Sequence, residues 1–134
     1  GGLFAMSRSE QMKSIYRTFE DYLEAILIIK ERQGYVRATD VALQLGVSQP
    51  SVSYSVKRME ERGLVSRDPN NMLLITEEGL KIARRTYQRH KCLEKIFLSL
   101  GVDPETARND ACTVEHDLSE ETFQLLCEHF EKIQ

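Results

Sequence analysis

The stretch TDVALQLGVSQPSVSYSVKRMEERGLV, residues 39 to 65, decides the fold. Val41, Ala42 and Leu45 are the apolar positions of a short helix that begins near Thr39, and Gly46 supplies the turn after it. Ser48 is a good N-cap for the next helix, and Pro50 is tolerated in its first turn. That helix is expected to run to about Arg62, where Gly63 stops it. Val52, Val56 and Met59 fall on one face, and Pro50, Ser53, Tyr54 and Lys57 on the other. Leu64 to Ser66 and Met72 to Ile75 read as two short strands, with turn chemistry between them from Asp68, Pro69, Asn70 and Asn71. Helix, turn, helix and hairpin in this order predict a winged helix-turn-helix. The partner class such an element implies is duplex DNA.

Outward from this core, a first helix is expected from about Ser9 to Arg32, ended by Gly34. Leu23, Ile26 and Leu27 give it an apolar stripe, which Ile28 and Ile29 widen. Downstream, Thr76 caps a long helix from about Glu77 to Leu100, and Gly101 closes it. Asp103 followed by Pro104 opens a fifth helix, to about Asp117. Ser119 caps a sixth, to about Lys132. The expected fold class is mainly α, with an N-terminal winged helix-turn-helix domain at 9–76 and a helical metal-binding and dimerisation domain at 77–134. Residues 1–8, beginning GGLFAM, read as disordered or a tag remnant.

Composition narrows the class. The 134 residues are 41% hydrophobic and 29% charged, an ordinary globular balance. No apolar run approaches the roughly 20 residues of a membrane span, and no leader pattern stands at the start, so a cytoplasmic protein without a membrane partner is expected. Cys92, Cys112 and Cys127 are an odd number of widely spaced cysteines, which predicts reduced thiols. Cys92 and Cys127 fall on apolar faces and suit packing. The net charge of -3 is unevenly spread. Residues 1–89 carry 14 Lys+Arg against 11 Asp+Glu, and residues 90–134 carry 4 against 10. The half that holds the helix-turn-helix is the basic one.

Ser48, Gln49, Ser51 and Ser53 stand at the start of the second helix of the motif, where base edges are met. Gln49 can pair bidentately with adenine, and Pro50 can pack on a thymine methyl. Tyr54, Lys57 and Arg58 follow and suit phosphates or sugars, while Arg37, Thr39, Arg67, Asn70 and Asn71 flank the helix as backbone contacts.

Metal-ligand residue types recur at helical spacing in three places. Asp21 and Glu24 are three apart on the first helix, and His90 and Glu94 four apart on the fourth. Cys112, Glu115 and His116 share one turn of the fifth. Thiolate, imidazole and carboxylate together suit a first-row transition ion rather than Ca²⁺ or Mg²⁺.

Five segments, FEDYLEAI (19–26), VALQLGVSQPSVSYSVKRMEERGLV (41–65), LLITEEGLKIA (73–83), RHKCLEKIFLSLGV (89–102) and NDACTVEHDLS (109–119), carry a family resemblance. The chain resembles the iron- and manganese-dependent repressors of the diphtheria toxin repressor and manganese transport regulator type, in their two-domain form. The resemblance implies a homodimer that binds a palindromic operator and represses metal-uptake genes when metal is plentiful. It implies metal ligands at Asp21, Glu24, His90, Glu94, Cys112, Glu115 and His116. Cys112 stands where the manganese branch has Glu, Asp21 where the iron branch has Met, and Arg108 where the iron branch has a third ancillary-site His. This hybrid makes Mn²⁺ or Fe²⁺ the expected ion, with Zn²⁺ and Co²⁺ also admitted.

The expected mechanism is a latch, in which metal fixes the spacing of the two recognition helices to match the DNA half-sites. Phe123, Leu126, Cys127, Phe130 and Ile133 form an apolar stripe on the sixth helix that suits a dimer interface. The alternative to a metal-dependent regulator is a thiol redox sensor on the same scaffold, using Cys112. No enzymatic activity is expected, because nothing in the sequence suggests a substrate pocket.

Overall fold

The computed structural model describes residues 7–132. The N-terminal segment 1–6 and Ile133 of the expected interface stripe lie outside the described residues. The chain divides into two compact units, Gly1–Arg84 and Arg85–Gln134.

The first unit is built on α1 (Arg8–Gln33), α2 (Ala38–Leu45), α3 (Gln49–Glu61), β1 (Val65–Arg67) and β2 (Leu73–Ile75). Ser7 and Glu10 form a reciprocal capping box, so α1 begins at Arg8, one residue before the expected start near Ser9. Leu23, Ile26 and Ile29 of α1 are buried together with Val41 of α2, Val52, Val56 and Met59 of α3, and Val65 and Leu73 of the hairpin. The helical residues among them come from the apolar positions their spacing predicts. Leu45 is only half-buried. Gly46 adopts φ 67°, a left-handed conformation that lets α3 leave α2 at an angle.

The wing is a two-stranded antiparallel hairpin in which Val65 pairs with Ile75 and Arg67 with Leu73. At its tip Asp68 Oδ1 accepts from the backbone N–H groups of Asn70 (2.8 Å) and Met72 (2.9 Å). The N–H of Leu73 also donates to the Val36 carbonyl at 2.8 Å, which ties the hairpin to the α1–α2 connection.

The next helix, α4 (Glu77–Ser99), begins in the first unit. Thr76 Oγ1 donates to the Gly63 carbonyl at 2.7 Å and accepts from the Gly79 N–H at 3.2 Å. Gly79 is buried there, and a Cβ on it would collide with the Leu64 carbonyl. The start of α4 therefore sits against the base of the wing at a distance only glycine permits.

The second unit holds the rest of α4, α5 (Pro104–Val114) and α6 (Glu120–Lys132). Asp103 caps α5 through the Glu105 N–H at 3.1 Å, and Ser119 caps α6 through the Thr122 N–H at 3.1 Å, as their positions predict. Two expectations are corrected. α5 ends at Val114 rather than near Asp117; Glu115, its C-cap, keeps helical dihedrals and 115–117 form a turn. Cys92 and Cys127 are not free thiols packed in a core. They are joined as a disulfide with their Cα atoms 6.8 Å apart, and Cys112 is the free cysteine among the described residues. The apolar faces that carry Cys92 on α4 and Cys127 on α6 face each other, a pairing that a sequence separation of 35 does not reveal.

Gly79→Ala is expected to lower stability by about 1–3 kcal/mol, the usual cost of overpacking a close contact. Urea denaturation measures it, and an unchanged midpoint would show that α4 can move off the wing at no cost.

Candidate metal centre and nucleic-acid interface

In the second unit, α4 and α5 bring four of the expected ligands together. His90 is the hub. Its Nε2 lies 2.7 Å from Glu94 Oε2, one turn on along α4, and its Nδ1 lies 3.0 Å from Glu115 Oε2. The Cys112 sulfur stands 3.6 Å from the same Nδ1. Glu115, the C-cap of α5, is 1% exposed, and the other carboxylate oxygen of this residue is 3.5 Å from His116 Nε2. Helical geometry explains the gathering. Cys112 and Glu115 are three residues apart and share a face of α5, and His90 and Glu94 are four apart on α4.

The Cys112 sulfur, and after it the Glu115 carboxylate, stabilise the charged imidazole. They push the His90 pKa up from 6.5 to about 11, against burial, which pulls it down. In the metal-free chain His90 is thus an imidazolium at neutral pH, a cation already standing among carboxylates and sulfur. The donor set fits a divalent transition ion. It offers imidazole nitrogen, carboxylate oxygen and sulfur, and at least one carboxylate is shielded from water.

Asp21 and Glu24 belong to the first unit, where both are half-buried on α1. Asp21 lines a cavity of about 420 Å³ with Thr18, Tyr22, Ser51 and Tyr54 among its walls.

The DNA-facing candidates lie together on the first unit. Ser48, Gln49, Pro50, Ser51, Ser53, Tyr54 and Lys57 are all exposed. Ser48 and Ser51 are partly occupied with each other. The Ser48 hydroxyl donates to Ser51 Oγ at 2.9 Å and accepts from the Ser51 N–H at 3.2 Å. Gln49, Pro50 and Ser53 carry no such duty. A hollow of about 580 Å³ lies between the two helices and the wing, lined by Arg37, Thr39, Gln49, Ser53, Arg67 and Asn71 among others. Arg67 is oriented by Glu60 Oε1 at 3.3 Å and Asn71 Oδ1 at 2.9 Å. Arg58 donates to the Tyr54 hydroxyl at 3.0 Å and lies over its ring.

Two organising residues escape the sequence reading. Tyr35 lies under Arg37, whose guanidinium is 5.0 Å from the ring centroid. Arg89 is a buried cation whose partners are 26 to 31 residues away. The Tyr35–Arg37 spacing is a weak local signal; Arg89 opens the segment RHKCLEKIFLSLGV, but its spacing gives it no role.

On α6 the expected interface residues divide. Phe130 is buried, Cys127 is in the disulfide, and Phe123 lies under the Arg89 guanidinium. Leu126 is 37% exposed and its neighbour Leu125 58%. These two leucines are the exposed large apolar side chains of α6 among the described residues.

Fold and site together define a class: a winged helix-turn-helix chain with a helical unit that gathers metal-ligand side chains. The chain belongs to the iron-dependent repressor family. Residues 14–73 match the family's N-terminal DNA-binding domain, and residues 76–134 match its metal-binding and dimerisation domain. The transcriptional regulator MntR of Escherichia coli O157:H7 is 43% identical over 104 residues, covering 78% of this chain and 67% of that protein. An uncharacterised HTH-type transcriptional regulator of Methanocaldococcus jannaschii is 36% identical over 121 residues, 88% of this chain and 96% of its own length. A solved manganese-dependent transcriptional repressor in complex with manganese superposes with a TM-score of 0.73 at 27% identity, covering 81% of this chain. This chain spans only 50% of the length of that solved protein. Among the described residues, no helix is long and apolar enough to cross a membrane.

The raised His90 pKa sets a pH dependence. A group whose pKa rises on folding contributes fully below its unfolded value, here 6.5, and loses that contribution as the pH climbs through about 11. In chelator, the stability difference between the parent chain and His90→Gln is therefore expected to be larger at pH 6 than at pH 10, by urea denaturation at both. An equal difference would contradict the assigned imidazolium.

Proposed function

We propose that this chain is a cytoplasmic, homodimeric repressor of metal-homeostasis genes that binds a palindromic operator when loaded with Mn²⁺ or Fe²⁺. It is not an enzyme. Residues 9–76 form its winged DNA-binding domain, and residues 77–134 its metal-binding and dimerisation domain. The observation that carries the reading is the convergence of Glu94, Cys112 and Glu115 on the two ring nitrogens of His90.

His90, Glu94, Cys112, Glu115 and His116, with Asp21 and Glu24 of α1, are the proposed ligands. A bound divalent ion supplies positive charge that lets these acidic groups stay ionised side by side. To act as a ligand His90 must give up its proton, so loading releases protons at neutral pH. Cys112 favours softer ions, and the carboxylates favour Mn²⁺. Gln49, Pro50 and Ser53 read base edges, with Ser48 and Ser51 capping α3 beside them. Arg37, Thr39, Tyr54, Lys57, Arg58 and Arg67 hold the phosphate backbone and set register. Phe123, Leu126, Cys127 and Phe130 belong to the dimer-forming helix, and Leu126 is the one most open to a partner. In the dimer the two recognition helices must match half-sites about one helical turn or a multiple apart. Metal loading fixes that spacing, and by linkage metal and operator strengthen each other's binding by the same factor.

A duplex selected from a random pool by the Mn²⁺-loaded chain provides the test. Fluorescence anisotropy is expected to show at least tenfold tighter binding with Mn²⁺ or Fe²⁺ than with chelator. Equal affinity in both would refute metal control. On the same duplex Lys57→Ala is expected to weaken binding and reduce the salt slope by about one, as for a single lost phosphate contact. An unchanged slope would remove Lys57 from the interface. Cys112→Ser is expected to weaken Zn²⁺ or Fe²⁺ binding more than Mn²⁺ binding in calorimetric titrations. Equal losses would mean that the sulfur is not a ligand.

A further inference from the structure

Glu115 is held at both of its ends by consecutive residues of α4. His90 takes its carboxylate at 3.0 Å, and Arg89 takes its backbone carbonyl at 3.1 Å. We infer that Arg89 is the positioning residue of the candidate metal centre, fixing the α5–α6 turn so that the Glu115 carboxylate stays at His90. The inference rests on the metal-site reading above and adds a residue to it that is not itself a ligand.

The α5–α6 turn needs such a support. The last carbonyls of a helix have no partner within the helix, and a side chain, water or ligand must satisfy them. Arg89 Nη1 donates to the carbonyls of Glu115 (3.1 Å) and Leu118 (2.7 Å). Its Nη2 donates to Glu120 Oε2 at 2.7 Å, in the first turn of α6, and the guanidinium lies 5.1 Å from the centroid of the Phe123 ring. One side chain, only 8% exposed, thus joins the end of α5, the turn and the start of α6. Two neighbouring α4 residues are rotated by about 100° about a 3.6-residue helix axis. That rotation lets His90 face the α5 ligands while Arg89 faces the turn.

The planar guanidinium matters here. It offers several donors in a fixed fork, whereas a lysine ammonium is a compact point charge on a flexible stem. Lysine keeps the attraction to Glu120 but cannot hold both carbonyls and the carboxylate in one plane. Groups that orient metal ligands from behind typically change affinity by about 10- to 100-fold when lost. An effect of that order is expected of Arg89.

The test uses the full chain and compares the parent, His90→Ala, Arg89→Lys and Arg89→Gln. Mn²⁺ affinity is measured by calorimetry. The visible absorption of the Co²⁺-saturated protein reports the geometry around the ion. Amide hydrogen exchange in chelator reports the turn. The expected result is about 10- to 100-fold weaker Mn²⁺ binding in both Arg89 variants. It comes with an altered Co²⁺ spectrum at saturation and faster exchange across residues 115–120. If Arg89 is only structural, its variants lower the unfolding midpoint while Mn²⁺ affinity below that midpoint and the Co²⁺ spectrum match the parent, which overturns the proposal. If the parent binds no Mn²⁺, or His90→Ala binds as well as the parent, the metal-site reading itself fails. Should the Arg89 variants not fold, Glu120→Gln removes only the charged partner of the guanidinium. It is expected to weaken Mn²⁺ binding several-fold, and parental affinity there also overturns the proposal.

Discussion

The second unit is organised around a half-buried imidazole. His90 has a carboxylate against each ring nitrogen and a sulfur beside one of them. Negative groups crowd together in a protein interior only if a cation stands between them. In the metal-free chain that cation is the protonated ring itself. A divalent ion held through these nitrogens, as proposed above, would have to displace that proton. In the winged unit, Gln49, Pro50 and Ser53 are exposed at the head of α3.

Local rules made most of the scaffold readable. The six helices and the hairpin follow from apolar spacing, caps and glycines, because each of these signals acts within four or five residues. Val52, Val56 and Met59, on one face by count, are all fully buried. Ser48, Asp103 and Ser119 cap the helices they precede. The end of α5 was less legible. The residues from Glu115 to Asp117 have adequate helix propensity, but the chain must turn there to start α6, and Arg89 supplies hydrogen-bond donors to the turned carbonyls instead.

The candidate site was legible in its residues but not in its support. Cys112, Glu115, His90 and Glu94 stand out because their side-chain chemistry is unusual at helical spacing. Arg89 looks in sequence like any basic residue of an exposed helix, and only tertiary structure reveals it as buried. The same holds for the Cys92–Cys127 disulfide. Each cysteine sits at an apolar position, and nothing within a few residues of either indicates that α4 and α6 bring them together. Pairing across 35 residues is a property of the packed unit. It also gives α6 a covalent link to the helix that carries His90.

Crystals grown with Mn²⁺ and measured on either side of the manganese absorption edge test the central claim most directly. The account predicts a strong anomalous difference peak within coordinating distance of the His90 ring and the Glu115 carboxylate. Peaks confined to exposed carboxylates elsewhere, with His90 still bonded to Glu94 and Glu115 and no ion beside it, would contradict it.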